Sequence, residues 1–239
     1  HVTLIGIEKN GAWLPSRTSR SLLETHDIRS KEKKATALVA QSVKADIRSA
    51  GPLDIIFPVL HGPFGEDGTV QGLLKLMGTP FVGAGVLGSA VGMDKDVMKR
   101  LLRDAGIPVA RFFVYRSGEK IDFGNISRKL GLPFFVKPAN LGSSVGVSKV
   151  KTKRDFEKAI KEAFSYDSKI LIEEYIEGRE LECAVLGNEN PIASGVGEVI
   201  PNHEFYSYEA KYIDENGARL DIPARIPARA AKRIRDMAL

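Results

Sequence analysis

A short loop rich in glycine and serine, residues 139–147, carries the clearest chemical signal in the sequence. Apolar residues at 134–136 precede the loop, and Val145, Val147 and Val150 alternate with other residues at its end and beyond it. This pattern predicts a strand on either side. Small residues let backbone N–H groups approach an anion closely, and the hydroxyls of Ser143 and Ser144 add two donors. Lys137 stands just before the loop as a fixed positive charge. The segment therefore predicts a cradle for a phosphate group.

The same residues also fit a simpler interpretation. Glycine-rich turns are common between paired strands, so the loop also suits a hairpin turn that has a surface lysine beside it. The pattern is not that of a Walker loop, because Gly-x-x-x-x-Gly-Lys-Ser/Thr does not occur and no helix pattern follows the loop directly. The loop alone leaves both interpretations open.

A group of glutamates lies about thirty residues further along the chain. Glu173 and Glu174 stand at the end of an apolar stretch, and Glu180 opens the next one after a tight turn at 177–179. A purine pocket needs apolar walls, an acceptor for the exocyclic amine and a carboxylate for the ribose hydroxyls. For any one of these residues taken alone, a solvated acidic turn is the better explanation. The phosphate loop upstream favours the nucleotide interpretation for the group as a whole.

The elements that must position these residues alternate between strand and helix. In the first half, the pattern predicts a hairpin over 1–14, a surface loop over 15–35 and a weak amphipathic helix over 36–50. An uninterrupted apolar run at 53–60 predicts a strand that is buried on both faces of a parallel sheet. The remaining predicted elements of this half are a loop at 61–68, a helix at 69–77 that Gly78 ends, a strand beginning at 80–83, and a helix that Asp94 caps.

The second half has the same alternating character. It contains a strand at 109–115, the hairpin around the glycine-rich loop, and a helix at 153–165 with Phe156, Ile160 and Phe164 facing inward. Further strands are predicted at 170–176, 180–186 and 192–200, a polar loop at 202–219, and a helix from 230 to the end. The fold class is therefore α/β.

The sequence resembles the D-alanine–D-alanine ligase family of ATP-grasp ligases. Six blocks carry this resemblance, in the family's order and over nearly the whole chain, which makes a chance match very improbable. They are 61–72 (HGPFGEDGTVQG), 82–86 (VGAGV), 93–96 (MDKD), 136–147 (VKPANLGSSVGV), 171–174 (LIEE) and 205–212 (FYSYEAKY).

The resemblance implies a role in nucleotide binding for nine residues. Lysines would bring point charges to the ATP phosphates, serines of the glycine-rich loop would cover the phosphates, and residues at 173–180 would hold adenine and ribose. These residues are Lys95, Lys137 and Lys211 for the phosphates, Ser143 and Ser144 in the loop, Glu173, Glu174 and Ile176 at the adenine, and Glu180 at the ribose.

The resemblance also implies residues that act on the substrate. His61 would stand near the first D-alanine, and Tyr206 would lie at the subsite of the second. Tyr212 would hydrogen-bond to Ser143 and help to close the site, so that Ser143, Lys211, Tyr212 and His61 form the implied catalytic set. Taken singly, each residue has an ordinary structural explanation: a first-turn surface lysine for Lys95, packing for the tyrosines, and a loop hydrogen bond for His61.

Three domains follow from the resemblance. Residues 1–90 would form part of a Rossmann-like N-terminal domain, 91–180 the central ATP-grasp domain, and 181–239 part of the C-terminal ATP-grasp domain with a mobile loop at 202–219. ATP would lie between the last two. We expect the chain to be incomplete at both ends, because it lacks an initiator Met and its final helix has no terminator. The ligands of Mg²⁺ or Mn²⁺ and the substrate-binding arginine are expected after Leu239, so that no metal ligand is assigned within the chain.

Composition narrows the possible partners. The charge of +5 comes from mixed acidic and basic residues rather than from a basic stripe, which argues against binding to nucleic acid. No apolar run approaches the roughly 18 residues of a membrane span. A single cysteine, Cys183, cannot form an internal disulfide and is expected to be a small core residue in a reducing, cytoplasmic setting. D-alanine is the small-molecule partner that the resemblance implies, and the assembly that it implies is a homodimer.

The implied reaction joins two D-alanines at the expense of ATP, through a D-alanyl phosphate, for the synthesis of peptidoglycan precursors. A D-alanine–D-lactate ligase is the nearest alternative, although the loop at 205–212 has the dipeptide-type pattern. A non-catalytic nucleotide-binding protein of the same fold is the alternative from another class. Acidic and Asn-Glu motifs in the reading frame after Leu239 would rule it out.

Overall fold

A computed structural model describes residues 2–7, 13–14, 19–20, 53–202 and 217–239. Contacts between α-carbons divide the chain into two compact units. One unit comprises 1–57 and 74–82, and the other comprises 58–73 and 83–239. The predicted domain boundaries near residues 90 and 180 stay predictions.

The first unit contains the predicted N-terminal hairpin. Strand β1 (Gly6–Ile7) pairs antiparallel with β2 (Trp13–Leu14), which confirms that prediction. The hydroxyl of Ser19 links the two strands, because it accepts from the Gly6 N–H at 2.7 Å and donates to the carbonyl of Leu14 at 3.2 Å.

The strand predicted over 53–60 is wrong in extent and in burial. A single parallel bridge joins Ile56 to Phe81, and the alternate residues Ile55, Phe57 and Val59 are 59–72% exposed. An apolar run becomes a doubly buried strand only where neighbouring strands and helices cover both of its faces. Among the described residues, only the segment at 80–82 hydrogen-bonds to this run, and alternate apolar side chains of the run stay exposed.

Within the described range that begins at residue 53, three helices precede the central sheet. Helix α1 (Thr69–Leu76) matches the prediction within one residue, and Gly78 follows it with a φ of +68°. Helix α2 (Val86–Met93) was not predicted, since its three consecutive small residues Gly88, Ser89 and Ala90 weaken the apolar periodicity. Helix α3 (Lys95–Asp104) begins where expected. The carboxylate of Asp94 caps it by accepting from the N–H groups of Asp96 and Val97.

A four-stranded antiparallel sheet forms the centre of the second unit. Its strands are β3 (Phe112–Arg116), β4 (Phe134–Pro138), β5 (Ser148–Val150) and β6 (Lys169–Glu174), and their order is β3-β6-β4-β5. The pairing of β4 with β5 confirms the predicted strands on either side of the glycine-rich loop.

One face of this sheet carries the hydrophobic core. Alternate side chains of β4 and β6 point to the same face, where they pack on helices α4 (Phe123–Leu130) and α5 (Lys153–Tyr166). Helix α5 confirms its prediction, with Phe156 buried and Ile160 and Phe164 packed against the core. Helix α4 was not predicted. The fully buried members include Phe134, Val136, Val150, Ile170 and Ile172.

The remaining strands form two smaller sheets. Strands β7 (Glu180–Glu182), β10 (Gly197–Pro201) and β11 (Ala218–Asp221) make one in the order β11-β10-β7, and β8 (Val185–Leu186) pairs with β9 (Ile192–Ala193) in the other. The stretch 170–186 is therefore not a strand pair, since β6 and β7 belong to different sheets. Cys183 lies between β7 and β8 and is half-buried rather than a core residue.

The chain ends in helix α6 (Ala228–Ala238), as predicted. Within the described ranges, no helix is both long and apolar enough to cross a membrane. The predictions for 15–18, 21–50 and 203–216 fall outside the described residues.

Candidate functional site

A buried carboxylate between two lysines marks the face of the central sheet opposite the hydrophobic core. The Nζ of Lys137 lies 2.7 Å from Oε1 of Glu173, and the Nζ of Lys99 lies 2.8 Å from Oε2 of the same residue. The exposed fractions of these side chains are 17% for Lys137, 13% for Glu173 and 11% for Lys99. The two oxygens thus have one ammonium group each, in a place with little access for water.

Strand register explains why these groups meet. Phe135 of β4 is the direct partner of Glu173 on β6, and Lys137 lies two residues further along β4, so both side chains leave the same face of the sheet. Helix α3 supplies Lys99 to that face, and the Lys99 ammonium also lies 5.3 Å from the centre of the Phe112 ring. Lys95 and Lys99 are four residues apart and therefore share one side of α3.

The charge of Glu173 depends on these lysines. Burial acts to raise the pKa of its carboxyl group, but the ammonium groups of Lys137 and Lys99 outweigh burial and hold the pKa below its usual value. The carboxylate is therefore ionised at neutral pH.

Lys95 fixes the beginning of the glycine-rich loop. Its Nζ donates to the carbonyls of Pro138 at 3.2 Å and Ala139 at 3.3 Å, and also to the carbonyl of Leu141. Burial, followed by repulsion from Lys137, lowers the pKa of the Lys95 ammonium group to about 8. An ammonium group with a pKa lowered in this way gains from a nearby anion, which would restore its preference for the charged form.

We expect the affinity for ATP to fall as pH rises through about 8, because the Lys95 ammonium loses its proton there. The charged groups that act on Lys95 are Lys137, Asp167, Glu173 and Asp94. A polyphosphate bound beside Lys95 should raise the pKa of its ammonium group, so we expect binding to take up a proton above about pH 8. Binding at pH 9 should be about tenfold weaker than at pH 7, as calorimetry would measure.

The arginine variant is the control for this prediction. Arginine stays charged throughout this range, so Lys95→Arg should give a flat profile between pH 7 and 9. Phosphate groups, which titrate near pH 6, do not change their charge in this interval. An identical fall in affinity for the wild type and Lys95→Arg would show that another group titrates.

The loop itself turns twice in succession. Val145 N–H donates to the carbonyl of Gly142, and Val147 N–H donates to that of Ser144, at 3.1 and 3.2 Å. Ser143 and Ser144 have φ angles of +52° and +61°, in the left-handed region that few residues with side chains adopt. Such backbone is typical of ligand-binding turns, where the surrounding structure holds it in place.

The other residues that were predicted to bind adenine and ribose lie at separate positions. Glu174 points to the face opposite Glu173, where its carboxylate accepts from the Arg111 backbone N–H at 2.7 Å and from the Arg111 side chain at 2.5 Å. Ile176 lies beyond the end of β6 and is 63% exposed, and Glu180 is exposed at the start of β7. Their assignment to the adenine and ribose stays a prediction.

The predicted substrate residues are only partly described. His61 is exposed in the loop 61–68, which precedes α1. The lysine cluster lies on other elements, namely α3 and β4. Tyr206, Lys211 and Tyr212 lie outside the described residues.

Lys99 was not among the predicted site residues, although it lies one helical turn after Lys95. The spacing of four residues was the available signal for a second lysine on the same side of the helix.

These residues fit a polyphosphate. Lys99 and Lys137 pair with one carboxylate, and Lys95 binds the beginning of a loop whose backbone turns suit an anion. The lowered pKa of Lys95 reflects its burial first and its repulsion from Lys137 second. In the described ranges, no group of three or more His, Cys, Asp or Glu side chains could hold a metal ion. We therefore assign no metal ligand to these residues.

An antiparallel sheet with helices on one face and a lysine cluster on the other suits a ligand that carries phosphate groups. Two family models together match most of the chain. The model described as D-ala D-ala ligase N-terminus matches residues 1–84, and the one described as D-ala D-ala ligase C-terminus matches 101–239. The chain belongs to the D-alanine–D-alanine ligase family.

Curated relatives agree with the family models. The D-alanine–D-alanine ligase of Oceanobacillus iheyensis is 50% identical over 250 aligned positions, which cover 100% of this chain and 68% of the relative. The D-alanine–D-alanine ligase A of Escherichia coli K12 is 46% identical, with coverage of 100% and 69%. The chain thus spans about two thirds of the length of these relatives.

Solved structures give the fold. The D-alanine–D-alanine ligase from Coxiella burnetii matches with a TM-score of 0.67 at 40% identity, over 77% of this chain and 49% of that one. A D-Ala:D-Ser ligase from Enterococcus faecalis matches with a TM-score of 0.75 at 35% identity, over 98% and 70%. The predicted ATP-grasp fold is confirmed.

Proposed function

We propose that this protein joins two D-alanines in an ATP-dependent reaction through a D-alanyl phosphate, in the synthesis of peptidoglycan precursors. The observation that carries the proposal is the lysine cluster beside the glycine-rich loop: Lys95 contacts the beginning of the loop, and Lys137 lies on β4 two residues before it. The six sequence blocks and the names of the relatives support D-alanine as the substrate.

ATP supplies the phosphoryl group that activates the carboxylate of the first D-alanine. Lys95 and Lys137 neutralise its phosphate charge, and Ser143 and Ser144 cover the phosphates from the glycine-rich loop. One carboxylate oxygen of Glu173 accepts a hydrogen bond from the exocyclic amine of adenine. The other oxygen of Glu173 stays paired with Lys99. In this arrangement the residues act by positioning and by charge neutralisation, which are the main contributions in phosphoryl transfer.

The remaining predicted residues complete the proposal. Glu174 and Ile176 contribute to the adenine pocket through their backbone or the apolar side chain, and Glu180 binds the ribose. His61 lies near the first D-alanine and Tyr206 at the second subsite. Lys211 reaches the phosphates, and Tyr212 meets Ser143 when the site closes, which keeps water from the acylphosphate.

Three further properties belong to the same proposal. Mg²⁺ or Mn²⁺ accompanies the ATP. We assign none of the described residues as ligands of this metal ion. The protein acts in the cytoplasm, which the single cysteine supports because it suits a reducing compartment. It works as a homodimer, as the family resemblance implies.

The complete protein that contains this sequence should release phosphate only when ATP, Mg²⁺ and D-alanine are all present, and the product should be the dipeptide. Phosphate release and mass spectrometry of the product test this with D-alanine alone and with equimolar D-lactate or D-serine as competing acceptors. We expect dipeptide to predominate between about pH 6 and 9 and to increase as the acceptor amine loses its proton, since tyrosine at the second subsite stays neutral in this range.

The alternatives give distinct results. His203 lies three residues before Tyr206 in the sequence. Predominant depsipeptide at the acidic end, abolished by His203→Ala, would identify a D-alanine–D-lactate ligase, because a protonated histidine pairs with the lactate carboxylate. A serine-containing product would place the protein with relatives such as the D-Ala:D-Ser ligase of Enterococcus faecalis. Binding of ATP without any turnover across the panel would favour a non-catalytic nucleotide-binding protein.

A further inference from the structure

Both ends of the glycine-rich loop contact the last turn of helix α5 and the residue that follows it. At the incoming end, the backbone N–H and the side-chain amide of Asn140 donate to the same oxygen of Asp167, at 2.8 and 2.9 Å. Asp167 directly follows α5, and its own N–H donates to the carbonyl of Ala163. The position of Asn140 is therefore set by the end of this helix.

The outgoing end of the loop packs against the same turn. A β-carbon on Gly146 would lie 2.8 Å from the ring of Tyr166 and 2.9 Å from the ring of Pro138, so only glycine fits there, and its φ of +66° also favours glycine. Two residues later, the Ser148 hydroxyl donates to the Glu162 carboxylate at 3.0 Å. Residues 162–167 thus hold both ends of the loop.

The second oxygen of Asp167 connects this turn to the central sheet. It accepts from the N–H of Lys169 at 3.0 Å, and the Lys169 carbonyl accepts from the N–H of Ala139 at 2.9 Å. Ala139 and Asn140 are adjacent, so the beginning of the loop is fixed to the 167–169 segment at two successive residues. One carboxylate therefore sets the loop relative to the strand that carries Glu173.

We propose that Asp167 is a positioning residue for the phosphate-binding loop and holds Asn140 so that Ser143 and Ser144 are in place before the nucleotide binds. This inference rests on the proposed function of the loop. Ser143 and Ser144 have left-handed backbone, which persists only where the flanking residues fix it. A loop that is ordered before binding spends less of its interaction energy on immobilisation, so the contribution of Asp167 is to nucleotide affinity.

Asp167→Asn in the complete protein tests the proposal. Asparagine has nearly the same shape but a single acceptor oxygen, so it cannot serve both Asn140 and Lys169, and its amide group faces a donor. We expect the dissociation constant for ATP, measured by calorimetry, to rise about tenfold. The KM for D-alanine at saturating ATP should change less than twofold, and the melting temperature should show that the variant is folded.

Two further variants make the test specific. Asn140→Ala removes only the side-chain donor from an exposed position and should weaken ATP binding less than Asp167→Asn does. As with Asp167→Asn, the effect should be on ATP affinity and not on the KM for D-alanine. Asp155→Asn is the matched control, because its carboxylate also accepts two backbone N–H groups but lies at the other end of α5. It should leave the affinity for ATP unchanged.

Each result decides the matter. Unchanged ATP affinity in Asp167→Asn overturns the proposal, and so does a parallel loss of affinity for ATP and D-alanine with a matching fall in melting temperature. If Asp167→Asn does not fold, unchanged ATP affinity in Asn140→Ala overturns it. A wild type that binds ATP without joining D-alanine would refute the proposed function, while the affinities of the variants would still test Asp167.

Discussion

Replacing Glu173 with alanine is expected to lower the free energy of unfolding by about 3 to 5 kcal/mol, the usual cost of removing one partner from a buried ion pair. The substitution leaves Lys99 and Lys137 close together without the carboxylate that lies 2.8 and 2.7 Å from them. Both ammonium groups are mostly shielded from water, so solvent compensates for little of this loss. Urea denaturation of the complete protein, compared with the wild type, measures the effect.

Glu174→Ala is the matched control. Glu174 is the next residue of the same strand and also pairs with a cation, but its partner Arg111 is 64% exposed. Exposed pairs contribute about 0 to 1 kcal/mol. The hydrogen bond from the Arg111 N–H adds about 1 kcal/mol, so the loss should stay smaller than that for Glu173→Ala. Equal losses for Glu173→Ala and Glu174→Ala would show that the two lysines do not depend on Glu173.

The sequence was most informative where local patterns determine local structure. The apolar residues on either side of 139–147 predicted a hairpin, and β4 pairs with β5 as expected. The Asp94 cap and helix α5 were also predicted correctly, because a cap and an amphipathic pattern depend on neighbours within a few residues. The position of Lys137 beside the loop follows from the same local order.

Long-range pairing was not accessible from the sequence. Glu173 and Glu174 are equivalent in the sequence, but the alternation of a strand sends one to the lysine cluster and the other to Arg111. Asp167 stands 27 residues from Asn140, and nothing in the local pattern indicates that they meet. The prediction that 53–60 forms a strand buried on both faces was wrong for a related reason. Burial depends on what covers a strand, not on the composition of the strand itself.

Replacing Lys137 with alanine is expected to weaken ATP binding by about 1.5 to 3 kcal/mol, the usual contribution of a charge-assisted contact, which is roughly a ten- to 150-fold rise in the dissociation constant. The Lys137 ammonium approaches the site from β4, immediately before the loop, and pairs with Glu173. A nucleotide phosphate offers the same ammonium a second anionic partner.

The fold should survive this substitution better than it survives the loss of Glu173. Lys99 still pairs with Oε2 of Glu173, so the carboxylate keeps one cation and the variant remains suitable for calorimetry. Lys129→Ala is the control, because it removes a lysine that contacts Phe113, a ring on the core face of the sheet. Lys129→Ala should bind ATP as the wild type does. Unchanged affinity in folded Lys137→Ala would remove Lys137 from the phosphate site and leave it only the structural role of neutralising Glu173.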